Sequence, residues 1–202
     1  MRQDYRRIRA PIFALARFSR LRDTSPVSAI PQPQQISVEE YLATSYRPDC
    51  DYVDGRIEER NLGEKEHSIL QRALILLFGF HRGDWNVEVF PEQRVQVSPT
   101  RYRIPDITVV SAGMQWERIL RQAALLFVEI LSPEDRWNRM RERVEDYFSL
   151  GTENDWIVDP ELRKGYVCSR TGFQEPESGL LEIPGTPIRV VLSELFAELD
   201  RA

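Results

Sequence analysis

The segment Leu125-Leu126-Phe127-Val128-Glu129-Ile130-Leu131 constrains the fold more than any other part of the chain. Six apolar residues in a run of seven have the length and composition of a buried strand. In its middle sits a carboxylate, Glu129. An ionised carboxylate in a dry core costs several kcal/mol unless something compensates it. Whatever compensates Glu129 therefore defines what the chain is built to do.

The chain has 202 residues, enough for one medium domain with an appendage, and its 42% hydrophobic and 29% charged residues place it among soluble globular proteins. No stretch approaches the ~18 consecutive apolar residues of a membrane span. Cys50 and Cys168 match no zinc or redox spacing, so free thiols in a reducing, cytoplasmic compartment are expected.

Charge is unevenly spread. Residues 1–34 carry seven arginines against Asp4 and Asp23, a surplus of five, and the remainder holds −10 of the net −5. An acidic domain does not bind nucleic acid by bulk charge, so any such binding needs a local basic groove. Residues 1–35 read as a basic, disordered arm and a Pro/Ser/Gln linker, with the folded domain over 36–202.

Ser37 with Glu40 forms a capping box that opens a short helix, and CDYVDGRIEER reads as a hairpin turning at Asp54-Gly55. A longer helix is predicted from about Glu64 to Phe80, then strands at NVEVF, QRVQV and RIPDITVV, with MQWERIL in a loop or short helix. Ser132-Pro133-Glu134-Asp135 predicts a helix start, with that helix running through WNRMRERVEDYFSL to Gly151. DWIVDP and KGYVCS read as strands, and PIRVVLSELFAELD as a strand and a helix. Mixed helices and strands around one sheet is the expected α/β architecture.

There is no Gly-rich phosphate loop, Walker lysine or nucleophile elbow, and two histidines cannot make a multi-histidine metal site. What stands out is acids where the pattern wants apolar groups: Glu129, Asp106 just after Pro105, and Glu66, which projects onto the apolar face of the long helix. His67 falls at the edge of that face. Two carboxylates in a partly dry pocket repel, and a divalent cation relieves this. All-oxygen ligation suits Mg²⁺ or Mn²⁺, which can activate water and stabilise phosphoryl charge. Buried acids also pair with arginines, and Arg94, Arg101, Arg103 and Arg143 are candidates.

Pro105-Asp106, with Glu129 after 22 intervening residues, resembles the PD-(D/E)XK restriction-endonuclease-like superfamily. More closely, DYVDGRIEE, GEKEH, RIPDITVV, LFVEILSPEDR, VEDYFSLG and DWIVDP, in that order between about Ile36 and Cys168, resemble the Uma family of restriction endonucleases. The resemblance implies a mixed central sheet flanked by helices, with an N-terminal helix and hairpin. It also implies Asp106, Glu129 and the carbonyl of Leu131 as ligands of Mg²⁺ or Mn²⁺, with Glu66 as a helical acid. The implied reaction is hydrolysis of nucleic acid phosphodiesters, DNA foremost.

One departure bears on the chemistry. The superfamily's lysine belongs two residues after the acid, where this chain has Leu131. In similar members it has moved to the following helix, four residues before a tyrosine, which here is Arg143 before Tyr147. Arginine holds phosphate well but does not exchange protons near neutrality. A metal-dependent endonuclease is expected, with a catalytically silent relative that binds nucleic acid or a protein partner as the alternative. Arg101, Arg103, Arg136 and Arg139 flank the acids as candidate phosphate contacts. A homodimer is expected on general grounds.

Overall fold

A computed structural model describes residues 35–60 and 64–201. The arm expected over residues 1–35 lies outside these but for Gln35. The chain opens with helix α1 (Val38–Ala43), where the Ser37 hydroxyl accepts the Glu40 amide as the capping box requires. Strands β1 (Cys50–Val53) and β2 (Arg56–Glu59) form the predicted hairpin, and Asp54 and Gly55 at its turn both have positive φ. Helix α2 (Lys65–Phe80) and the short α3 (Arg82–Trp85) lead into β3 (Val87–Pro91) and β4 (Val95–Ser98). RIPDITVV, expected as one strand, is interrupted: its Arg103 ends β5 (Arg101–Arg103), and its remaining strand residues begin only with β6 (Ile107–Ser111). Pro105, which lacks a ladder donor, lies in the break.

After β7 (Leu126–Ile130) the chain does not enter a helix at Pro133 as predicted. The Asp135 carboxylate accepts the Ser132 amide at 2.7 Å and the Asp135 amide donates to the Ser132 carbonyl, closing a turn, and α4 begins at Trp137 and ends at Leu150. A self-contained side-chain turn outcompetes the N-cap geometry. There follow β8 (Asp155–Asp159), β9 (Lys164–Ser169), β10 (Gly172–Gln174), β11 (Leu180–Glu182), β12 (Arg189–Val191) and α5 (Leu192–Asp200).

The central sheet has the order β10-β9-β8-β7-β6-β3 and is antiparallel except for β7 beside β8. A parallel pair needs a crossover, and α4 supplies it. A second sheet, β2-β1-β5-β4, is antiparallel, and β11 pairs with β12. The fold is therefore mixed α/β with a mixed central sheet, helices beside it and an N-terminal helix and hairpin.

Strand β7 is buried along its whole length, and its period of two sorts its residues. Leu126, Val128 and Ile130 pack with Leu70, Leu74 and Phe78 of α2 and with Leu195 and Phe196 of α5. Phe127 packs on Tyr147 of α4. Glu129 shares the parity of Phe127 and so faces α4. Among the described residues no helix is long and apolar enough to cross a membrane, and Cys50 and Cys168 are buried free thiols.

Candidate active site

Glu129 is 3% exposed. Its Oε1 accepts from Arg143 Nε at 3.0 Å and from the Tyr147 hydroxyl. Arg143 and Tyr147 are one helical turn apart, so both reach the same oxygen from one face of α4. The rest of the Arg143 fork is also engaged: NH1 donates to Asp51 of β1 and NH2 to the carbonyl of Ile104, both at 2.9 Å. Glu129 Oε2, by contrast, accepts no hydrogen bond from a described residue. Glu129 lines a cavity of about 30 Å³, room for one or two water-sized groups, together with Asp106, Arg60, His67 and Ser132. Burial pushes its carboxyl up; Arg143 opposes, Asp106 adds to the rise, and Tyr147 opposes, leaving it at about 7.

Asp106 sits between Pro105 and β6 on the same cavity. Its Oδ1 accepts from Arg60 at 2.6 Å, and its Oδ2 from His67 Nε2 at 3.1 Å and the Ile130 amide at 2.8 Å. Burial would raise it, but His67, Arg60 and the Ile130 amide together hold it below the usual carboxylate range. Burial would lower His67, yet Asp106 outweighs that and raises it. Neighbouring acids driven apart in this way take different roles: Asp106 stays ionised, while Glu129 exchanges a proton near neutrality.

Behind these acids lies a network of arginines. Arg103 is 1% exposed and donates to Asp51, Glu58 and Asp146 at 2.8–3.1 Å. Arg101 pairs with Asp54, Glu142 and Asp146. As candidate phosphate contacts these two are corrected: their forks are occupied by acids of the hairpin and α4, and Arg103 is inside the protein. Arg136 and Arg139 are exposed, and Arg139 lines the small cavity. Glu66 is exposed, with the neighbouring His67 turned inward instead, so the expected convergence of three acids is two acids and a histidine. Glu66 and Leu131 line a larger cleft beside the cavity.

Three participants were absent from the sequence-based set: Asp51, Arg60 and Tyr147 as a donor. Asp51 carried a signal, being an acid in a fully buried hairpin strand, the same anomaly as Glu129. Arg60 carried none beyond its place at the hairpin's end.

The donor set suits a hard cation in kind. Glu129, which lines the small cavity, has an Oε2 that accepts no hydrogen bond among the described residues, Asp106 is held below the usual carboxylate range, and the Leu131 carbonyl follows on the same strand end. Among the described residues no three His, Cys, Asp or Glu side chains form a ready metal cluster. Arg60 stands on Asp106 Oδ1, so it and an ion compete for that oxygen.

A family model described as "Putative restriction endonuclease", Uma2, matches residues 38–200. Among solved structures, that of "a putative nuclease belonging to DUF820 from Anabaena variabilis" is 20% identical, with a TM-score of 0.71, and covers 81% of this chain and 99% of that one. At that identity the likeness is one of fold. No curated protein matches.

Proposed function

Because the chain belongs to the Uma2 restriction-endonuclease family, we propose that it hydrolyses phosphodiester bonds of nucleic acid, DNA foremost, with Mg²⁺ or Mn²⁺ held by Asp106, Glu129 and the Leu131 carbonyl. The observation that supports this reading is that Glu129 Oε2 accepts no hydrogen bond from a described residue and that Glu129 shares its cavity with Asp106. The cation, when bound, supplies charge stabilisation and an acidified water. Glu129, at about 7 without the ion, gives up its proton near neutral pH and so frees Oε2 for the cation. Arg143 fixes the other oxygen of that carboxylate and keeps the acceptor aimed into the cavity. His67 donates to Asp106 from the wall, and the exposed Arg136 and Arg139 hold flanking phosphates.

A second reading has its own observation. Arg143 on Glu129 and Arg60 on Asp106 balance the acids without any ion. This favours a silent relative that binds nucleic acid or protein through the same cleft. Cleavage of supercoiled DNA with Mn²⁺, by wild type and Asp106→Asn, separates the two. Melting in Mn²⁺ should rise by roughly 5–10 °C at a hundredfold excess over Kd, the equivalent of ~2.7 kcal/mol, and the rise should be absent in Asp106→Asn. Neither cleavage nor a melting shift in the wild type would establish the silent reading.

A further inference from the structure

Beside the small cavity, and sharing His67, Ser132 and Asp135 with it, lies a cleft of about 420 Å³. Its rim is acidic: Glu64, Glu66, Asp135, Asp159 and Glu161 line it, and among the described residues no arginine or lysine does. Its wall is apolar, with Trp137 44% exposed and Leu162 58% exposed. Between wall and rim sits Ser132, 7% exposed, whose hydroxyl makes no hydrogen bond among the described residues although it borders both spaces. An unengaged hydroxyl at that place can donate to, or accept from, a group held in the cleft. Asp159, also 7% exposed, spends one oxygen on the Leu162 amide at 2.9 Å and leaves the other unbonded.

This lining repels a phosphate and welcomes a flat neutral group that offers N–H donors. The cavity is large enough for a nucleoside. An aromatic wall stacks any base, since every base has a π face. Carboxylates discriminate, because they accept from the exocyclic amines of cytosine, adenine or guanine and are repelled by the paired carbonyls of thymine and uracil. Arg139 lines the small cavity but not the cleft, as a donor suited to phosphate. We propose that this cleft receives an unstacked, amino-bearing nucleobase next to the bond being cut, so that the protein prefers cytosine, adenine or guanine there. The proposal rests on the nuclease reading for its substrate class.

The test needs neither metal nor cleavage. The full chain, labelled with ¹⁵N, is titrated with 2′-deoxycytidine and separately with thymidine while the indole N–H signals are followed, that of Trp137 being assigned by its loss in Trp137→Phe. The expected result is movement of the Trp137 signal at an affinity for deoxycytidine about fivefold or more above that for thymidine, the low end for discrimination by a base-edge hydrogen bond. Glu66→Gln/Glu161→Gln, both at exposed positions, should narrow the ratio below about twofold. Equal affinities overturn the proposal, as does a Trp137 signal unmoved up to ~20 mM nucleoside, well past millimolar affinity. Cleavage of DNA without base preference sinks this inference alone, whereas base preference without cleavage sinks only the nuclease reading.

Discussion

Replacing Glu129 by glutamine asks which force dominates at the centre of the site, burial or the Arg143 guanidinium. Gln keeps the shape and still accepts from Arg143 and Tyr147 through Oε1, while losing the charge. In the folded protein Glu129 titrates at about 7 rather than 4.5. A rise of that size is worth about 3 kcal/mol, using ~1.4 kcal/mol per unit. The sign follows from proton counting. Below pH 4.5 both folded and unfolded chains hold the proton and the carboxyl's contribution is complete. Between 4.5 and 7 the unfolded chain has released a proton that the folded chain retains, so stability falls as pH rises, levelling off above 7. His67, which Asp106 raises above its ordinary value, is present in both variants and cancels in the difference. Urea unfolding of wild type and Glu129→Gln from pH 4.5 to 8 should therefore show the wild type losing about 3 kcal/mol relative to the variant. A difference that is flat, or that grows in the wild type's favour with pH, would mean Arg143 outweighs burial, and the near-neutral release of the Glu129 proton would fall with it.

Other outcomes follow from the same contacts. Arg143→Met leaves Glu129 with Tyr147 as its one donor and takes from Asp51 one of its two arginines, and should cost about 3–5 kcal/mol in urea unfolding at pH 7. Tyr147→Phe removes one donor from Glu129 and should cost about 1 kcal/mol while raising the Glu129 titration further, read by carboxyl ¹³C chemical shift. Asp155 is 1% exposed with neither carboxyl oxygen hydrogen-bonded, and burial holds it well above the usual range. Its cost therefore appears above about pH 3.8 and grows with pH, so Asp155→Asn should stabilise by about 1–3 kcal/mol at pH 7 and by nothing near pH 3.5. A Cβ on Gly165 would lie 2.6 Å from Leu192 Cδ2 and 3.1 Å from Leu181 Cδ1 in a packed core, so Gly165→Ala should lower stability by about 1–3 kcal/mol in thermal melts.

How far the sequence reveals the site depends on the distance over which each contact is made. Glu129 announced itself because a charge inside an apolar strand is a local anomaly. Arg143 was nameable because helical spacing brought it to the edge of an apolar stripe beside Tyr147. The hairpin, the α1 cap and the strands on either side of α4 were equally local and were all expected. Arg60 and Asp51 reach the site by tertiary pairing, and no periodicity encodes which hairpin side chain meets which strand. Arg101 and Arg103 show the same limit from the other side. Composition marks them as phosphate binders, and only the packing of β5 between hairpin acids and Asp146 reveals them as buried counter-ions. The start of α4 was misplaced because two signals competed in Ser132–Asp135, and the tighter turn won.

The chain separation of the contacts has a consequence for the order in which the cleft is assembled. Glu129 meets Arg143 across 14 residues and Tyr147 across 18, all within the β7–α4–β8 unit. Arg60 meets Asp106 across 46, and Arg143 meets Asp51 across 92. Loop closure favours the shorter contacts, so the Glu129 half can form with its own crossover, whereas the hairpin must arrive to finish the other half. A chain whose hairpin has detached would retain Glu129 against Arg143 and leave Asp106 without Arg60. The hairpin thus acts as a detachable lock on one carboxylate, and amide exchange at Ile104, whose acceptor is Asp51 of the hairpin, set against that at Tyr147, reports how often it opens.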